Sequence, residues 1–153
     1  MARLLDKVEA RLSPANGVVI LLGTGFRETF LPDFHQRRLS YPGPDIVYVT
    51  SANGSAHEDD VTVEAWDGPP PPDGDADLSE TTELHLSEGQ VYVSRQMRSA
   101  ASPVLSAGPA GRFGMRVDVF GRTALAAHYA ATSDQDGPGL AERVRVRLWP
   151  LAD

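Results

Sequence analysis

Polar and apolar residues alternate without a break through Arg143-Val144-Arg145-Val146-Arg147-Leu148-Trp149, which predicts a strand with three arginines on one face. Shorter period-two stretches recur at 46–50, 61–66, 81–86, 91–94 and 113–120, and each predicts a further strand. Val18 to Leu22 is apolar at every position, as expected of a central strand buried on both faces. Near the start, Leu4, Leu5, Val8 and Leu12 fall at helical spacing before Ser13-Pro14 and Asn16-Gly17, predicting a short amphipathic N-terminal helix. The polar stretch between 50 and 61 contains Asn53-Gly54, so strands 46–50 and 61–66 read as a long hairpin. Asp67-Gly68 and the prolines from Pro69 to Pro72 end it, because proline cannot donate into a sheet ladder. Residues 23–45 read as irregular, punctuated by Pro32, Pro42, Gly43 and Pro44. About seven short strands without helical crossovers make an all-β fold, mainly an antiparallel β-sandwich, with the short N-terminal helix and a single domain over 1–153.

Composition narrows the chemistry. With no cysteine there is no disulfide framework, thiol nucleophile or cysteine-based zinc site. No apolar run reaches the roughly 18 residues a membrane helix needs, and the first residues are charged, so a soluble, cytoplasmic protein is expected. Thirteen arginines against the single Lys7, with abundant alanine, glycine and proline, suit a GC-rich genome such as an actinobacterium's. The net charge of -7 is unevenly spread. Between Asp33 and Gln90, thirteen acids face only Arg37 and Arg38, a local net of -11, whereas eight arginines face five acids from Val91 onward. Such acidity disfavours nucleic-acid backbone and suits a basic protein partner.

Four local patterns carry candidate chemistry. Gly23-Thr24-Gly25 after an apolar strand resembles a phosphate-binding loop, but the lysine of one motif and the third glycine of the other are missing, so the glycines read as a turn. His57-Glu58-Asp59-Asp60 is the densest group of metal-ligand types, yet it lacks a calcium-loop pattern and reads as a solvated hairpin tip. Asp73, Asp75 and Asp77 alternate as hard-cation ligands do, without the rest of a recognised loop. Arg143, Arg145 and Arg147 could meet an anion, but an acidic chain favours cross-strand pairing with acids such as Glu64, Glu83 and Asp118. Histidines 35, 57, 85 and 128 are scattered, and no nucleophile elbow accompanies them. Neither cofactor nor metal is expected.

The second half of the chain resembles the competence protein J family of small β-sandwich proteins, which includes an inhibitor of a DNA-entry nuclease. The resemblance spans roughly residues 80 to 150. It rests on Thr82-Glu83-Leu84-His85-Leu86 leading to Gly89-Gln90-Val91-Tyr92-Val93-Ser94, then Gly111 to Val117 and a terminal Leu148-Trp149-Pro150. It implies a non-enzymatic binding protein, an acidic inhibitor or immunity protein for a basic nuclease or toxin. The contact residues expected on this reading are Glu58, Asp59, Asp60, Asp73, Asp75 and Asp77, with Trp66 or Tyr48 as an aromatic anchor. The alternatives are a ligand- or metal-binding protein or enzyme using a sandwich cleft, and a structural subunit of an assembly.

Overall fold

The computed structural model describes residues 1–152 except 15, 16, 28–30, 52–56, 96–98 and 132–141, and at 128 and 129 the backbone alone. Eleven strands are described: β1 (Leu4–Leu12), β2 (Val18–Gly23), β3 (Ser40–Gly43), β4 (Ile46–Thr50), β5 (Asp59–Trp66), β6 (Leu78–Leu86), β7 (Gln90–Arg95), β8 (Ser99–Ala100), β9 (Leu105–Ser106), β10 (Gly111–Phe120) and β11 (Glu142–Pro150). One helix, α1 (Arg122–Ala131), lies between β10 and β11, and a single 3-10 turn spans Phe34–Gln36. The strands form two sheets, ordered β1-β5-β11-β10-β6 and β3-β4-β2-β7-β8, with β9 also on β7. Every pairing between these strands is antiparallel except that of β5 with β11. Among the described residues, no helix is long and apolar enough to cross a membrane.

The period-two patterns explain the layering. Val144, Val146 and Leu148 of β11 and Phe113, Met115, Val117 and Val119 of β10 point into one apolar core. They meet Val19 and Leu21 of β2, Val47 and Val49 of β4, and Val91 and Val93 of β7 from the other sheet. The apolar run of β2 has the second partner that its composition requires. On the outer side of its sheet, Ile20, Leu22, Tyr41, Ile46 and Tyr48 form a further cluster. Phe34 stands edge-on over it, 4.8 Å from the Tyr41 ring and 5.8 Å from Tyr48.

Three expectations are corrected. The predicted N-terminal helix is strand β1: Val8, Ala10 and Leu12 also alternate with Lys7, Glu9 and Arg11, and β5 supplies a full ladder along them. A helix of two or three turns has too little intrinsic stability to compete with that pairing. The expected hairpin of 46–50 with 61–66 does not form, because β4 pairs with β2 and β3 while β5 pairs with β1 and β11. The chain crosses between the sheets there, and the turn expected at Asn53-Gly54 lies outside the described residues. Alternation identifies a half-buried strand but not its partner. Within 23–45, expected to be irregular, Ser40–Gly43 forms β3 despite Pro42, which sits on the sheet's edge strand as proline must.

Candidate functional site

The outer face of the five-stranded sheet is a lattice of charge. Arg145 donates to both oxygens of Glu64 at 3.1 Å and to Asp73 at 3.2 Å. Arg147, buried, donates to Asp118 at 2.7 Å and to the Pro71 carbonyl at 2.9 Å, while Arg116 also reaches Asp118 and Arg112 reaches Glu83. The expected pairing of the arginine ladder with Glu64, Glu83 and Asp118 is therefore observed, although the Glu83 pair is made by Arg112 and not by the ladder. Arg143 lies 4.6 Å from the centre of the Phe120 ring. Segment 67–77 folds back over this face, with Pro71 and Asp73 as its attachments to Arg147 and Arg145.

A groove of about 300 Å³ opens beside this segment. Its lining includes Asp60, Asp73 and Asp75 together with Glu9 and Glu64, five carboxylates against Lys7, Arg143 and Arg145. Asp60 accepts two hydrogen bonds from Arg11, at 2.6 and 3.0 Å. That pairing holds its carboxyl below the usual carboxylate range. Glu58 is exposed and close enough to Arg11 to act on its charge. Asp75 is exposed, and its N–H donates to Asp73 at 3.2 Å. Asp77 accepts from the Thr123 N–H at 3.0 Å, where α1 begins and a carboxylate is favoured by the helix dipole. The Asp73 and Asp77 carboxylates thus serve different contacts, and the three aspartates are not gathered as a group of metal-ligand atoms.

Asp59 departs from the expected surface set. It is fully buried, as are Glu142 and the His57 side chain, so it cannot meet a partner directly. The reading of His57 to Asp60 as a solvated tip is corrected accordingly. Parallel pairing sets Asp59 beside Glu142 at the shared end of β5 and β11, and the chain leaving β4 brings Ser51 against them. The Ser51 hydroxyl lies 3.1 Å from His57 Nε2, 3.0 Å from Asp59 Oδ2 and 2.7 Å from Glu142 Oε1. Arg122, at the start of α1, donates to Glu142 Oε2 and to the Thr50 carbonyl. Burial and the neighbouring Glu142 push the Asp59 carboxyl up to about 7, against the smaller opposing effects of Ser51 and Arg122. Burial, aided by Arg122 and opposed by Glu142, makes His57 harder to protonate. Nothing local in the sequence marks Arg122 or Glu142, some sixty and eighty positions further along the chain, as neighbours of Asp59.

The glycine turn behaves as expected. The Gly23 N–H donates to the Asp45 carbonyl, Thr24 N–H to Gln90 and Phe26 N–H to Gly23, so these amides are spent on the chain itself rather than offered to a phosphate. A Cβ on Gly23 would stand 2.6 Å from Asp45 Oδ1, so close approach of the chain accounts for this glycine. His85 is exposed on β6, and Trp66 is half-buried with its indole N–H donating to Glu64 at 2.8 Å. Tyr48 is buried under Phe34, which removes it as an exposed anchor.

The sequence matches no protein-family model, and no curated protein is significantly similar to it. Among solved structures, the fold is shared with ComJ from Bacillus subtilis, described as an inhibitor of the DNA degrading activity of NucA, at a TM-score of 0.66 and 8% identity. That similarity covers 99% of both chains. The product of crocagin biosynthetic gene J is similar at a TM-score of 0.52 and 15% identity, over 95% of this chain and 99% of the other. The resemblance seen in residues 80–150 thus extends, at the level of fold, to nearly the whole chain.

Proposed function

We propose that this chain is a non-enzymatic protein-binding module, an inhibitor or immunity protein whose partner is a basic protein such as a nuclease or toxin. The observation that carries this reading is the fold shared along its full length with ComJ, a nuclease inhibitor. The net charge of -7 supports it, since a negative surface speeds encounter with a basic partner and disfavours nucleic acid. Glu58, Asp60, Asp73, Asp75 and Asp77 are the proposed contacts, and the groove that gathers Asp60, Asp73 and Asp75 is their centre. Glu58 and Asp75 offer exposed carboxylates at least structural cost, whereas Asp60 and Asp73 are shared with Arg11 and Arg145.

The test is immobilisation of the full chain, capture from its source lysate at low and high salt, and kinetics with the purified partner. Association that slows at least tenfold from about 0.05 to 0.5 M salt, and further in Glu58→Lys/Asp75→Lys, supports the reading. Capture of no basic protein, or a rate independent of salt, overturns it.

A further inference from the structure

We propose that His57, Asp59 and Glu142 form a buried site for one divalent transition-metal ion, with Zn²⁺ the ion their donors suit. One donor atom from each lies within 4.8 Å of the others. His57 Nε2 is 3.4 Å from Asp59 Oδ1 and 3.7 Å from Glu142 Oε1. A tetrahedron with zinc bonds of about 2.1 Å has edges of about 3.4 Å, close to the two distances from His57, and the 4.8 Å limit on the set leaves the carboxylates within a side-chain adjustment of closing on an ion. Imidazole nitrogen and carboxylate oxygen are both zinc donors, and the Ser51 hydroxyl is placed to be a fourth donor or to orient the carboxylates.

A further observation points to a ligand. Asp59 Oδ1 is fully buried and has no hydrogen-bond partner among the described residues, although buried polar atoms are ordinarily satisfied; the His57 ring nitrogen lies 3.4 Å from it. A dication bound here would use the orphaned oxygen. The site joins the chain leaving β4 in one sheet to the starts of β5 and β11 in the other, so the bound ion would clip the two sheets together at this end. This inference does not depend on the partner proposed above.

The test uses the full chain, stripped with chelator, refolded into metal-free buffer if necessary, and titrated with Zn²⁺ alone by calorimetry and with Co²⁺ alone by visible absorption. One equivalent of Zn²⁺, a Co²⁺ band of tetrahedral type that Zn²⁺ abolishes, and a Tm raised by several degrees are expected. His57→Gln and Glu142→Gln should weaken binding at least tenfold, whereas His35→Gln and His85→Gln, at exposed histidines, should bind as wild type. Absence of stoichiometric binding by the folded wild-type protein overturns the site whatever the variants do. So does binding that survives in a folded His57→Gln protein or disappears in His35→Gln or His85→Gln.

Discussion

At the residue scale, the least replaceable polar group is Asp118. Its carboxylate, fully buried, accepts from Ser79, Arg116 and the almost wholly buried Arg147. Asp118→Asn keeps the shape but strands the Arg147 charge away from water, and breaking a buried pair in this way costs about 3–5 kcal/mol. Urea unfolding at pH 7 should show that loss, whereas Asp60→Asn, whose partner Arg11 is exposed, should cost under about 1 kcal/mol. The same carboxylate gives a pH dependence with a definite sign. Burial pushes the Asp118 carboxyl up, but the hydrogen bonds from Ser79, Arg147 and Arg116 outweigh it and hold it below the ordinary range. Glu80 behaves alike: burial raises it, and Ser40, the Leu39 amide and Arg38 together lower it further. A carboxyl depressed on folding contributes stability above its unfolded value near pH 4 and loses it as pH falls through the folded value. Wild-type stability should therefore decline below about pH 4, and the gap between wild type and Asp118→Asn should narrow there. A gap that stays constant down to about pH 2 would remove Asp118 as its source.

At the element scale, β10 and β11 pack closely enough that one missing side chain is required. Trp149 lies across Gly114, and a Cβ at that glycine would stand 2.2 Å from the indole ring, inside any tolerable contact. The two residues face each other in register, so neither strand can slide to make room. Gly114→Ala should lower stability by about 1–3 kcal/mol through overpacking. Gly114→Ala/Trp149→Phe should recover part of it in the same thermal melts, and a double variant no better than the single would show that the strain lies elsewhere. The strands themselves were legible where one face is apolar and the other polar, as in β11, because burial of one face writes period two into the chain. What escaped was partner choice and short-range ambiguity. Val8-Glu9-Ala10-Arg11-Leu12 satisfies both a helical and a strand spacing, and only pairing with β5 decides between them. Helix α1 went unnoticed because its alanine-rich sequence shows little apolar periodicity, with Leu125 the buried apolar residue among its described side chains.

At the scale of the whole molecule, charge segregated in sequence is mixed in space. The acidic segment from Asp33 to Gln90 contains β5, and the arginine-rich end contains β11, yet parallel pairing places them side by side. Much of the acidity legible in the sequence is therefore consumed by internal pairs such as Arg145 with Glu64 and Asp73, while Asp59 is carried inward to Glu142. A linear charge count has no access to a contact made across some eighty residues, which is why the buried set was only half visible, through His57 and Asp59. The same long-range pairing bears on how the chain unfolds. Residues from both sheets contribute to one apolar core, with Val19, Leu21, Val47 and Val49 meeting Val63, Met115, Val117 and Val146, so neither sheet can expose its inner face without the other. If 1–153 is one cooperative domain, the slowest amides of β2 and β4 should exchange with the same free energy as those of β10 and β11, equal to the global unfolding energy. The edge strand β1, paired on one side only by β5, should exchange sooner. Native-state hydrogen exchange followed strand by strand decides the matter: a distinctly lower energy for all of β2 and β4 would mean that the six-stranded sheet opens as a unit of its own, and the shared core would then not be what couples them.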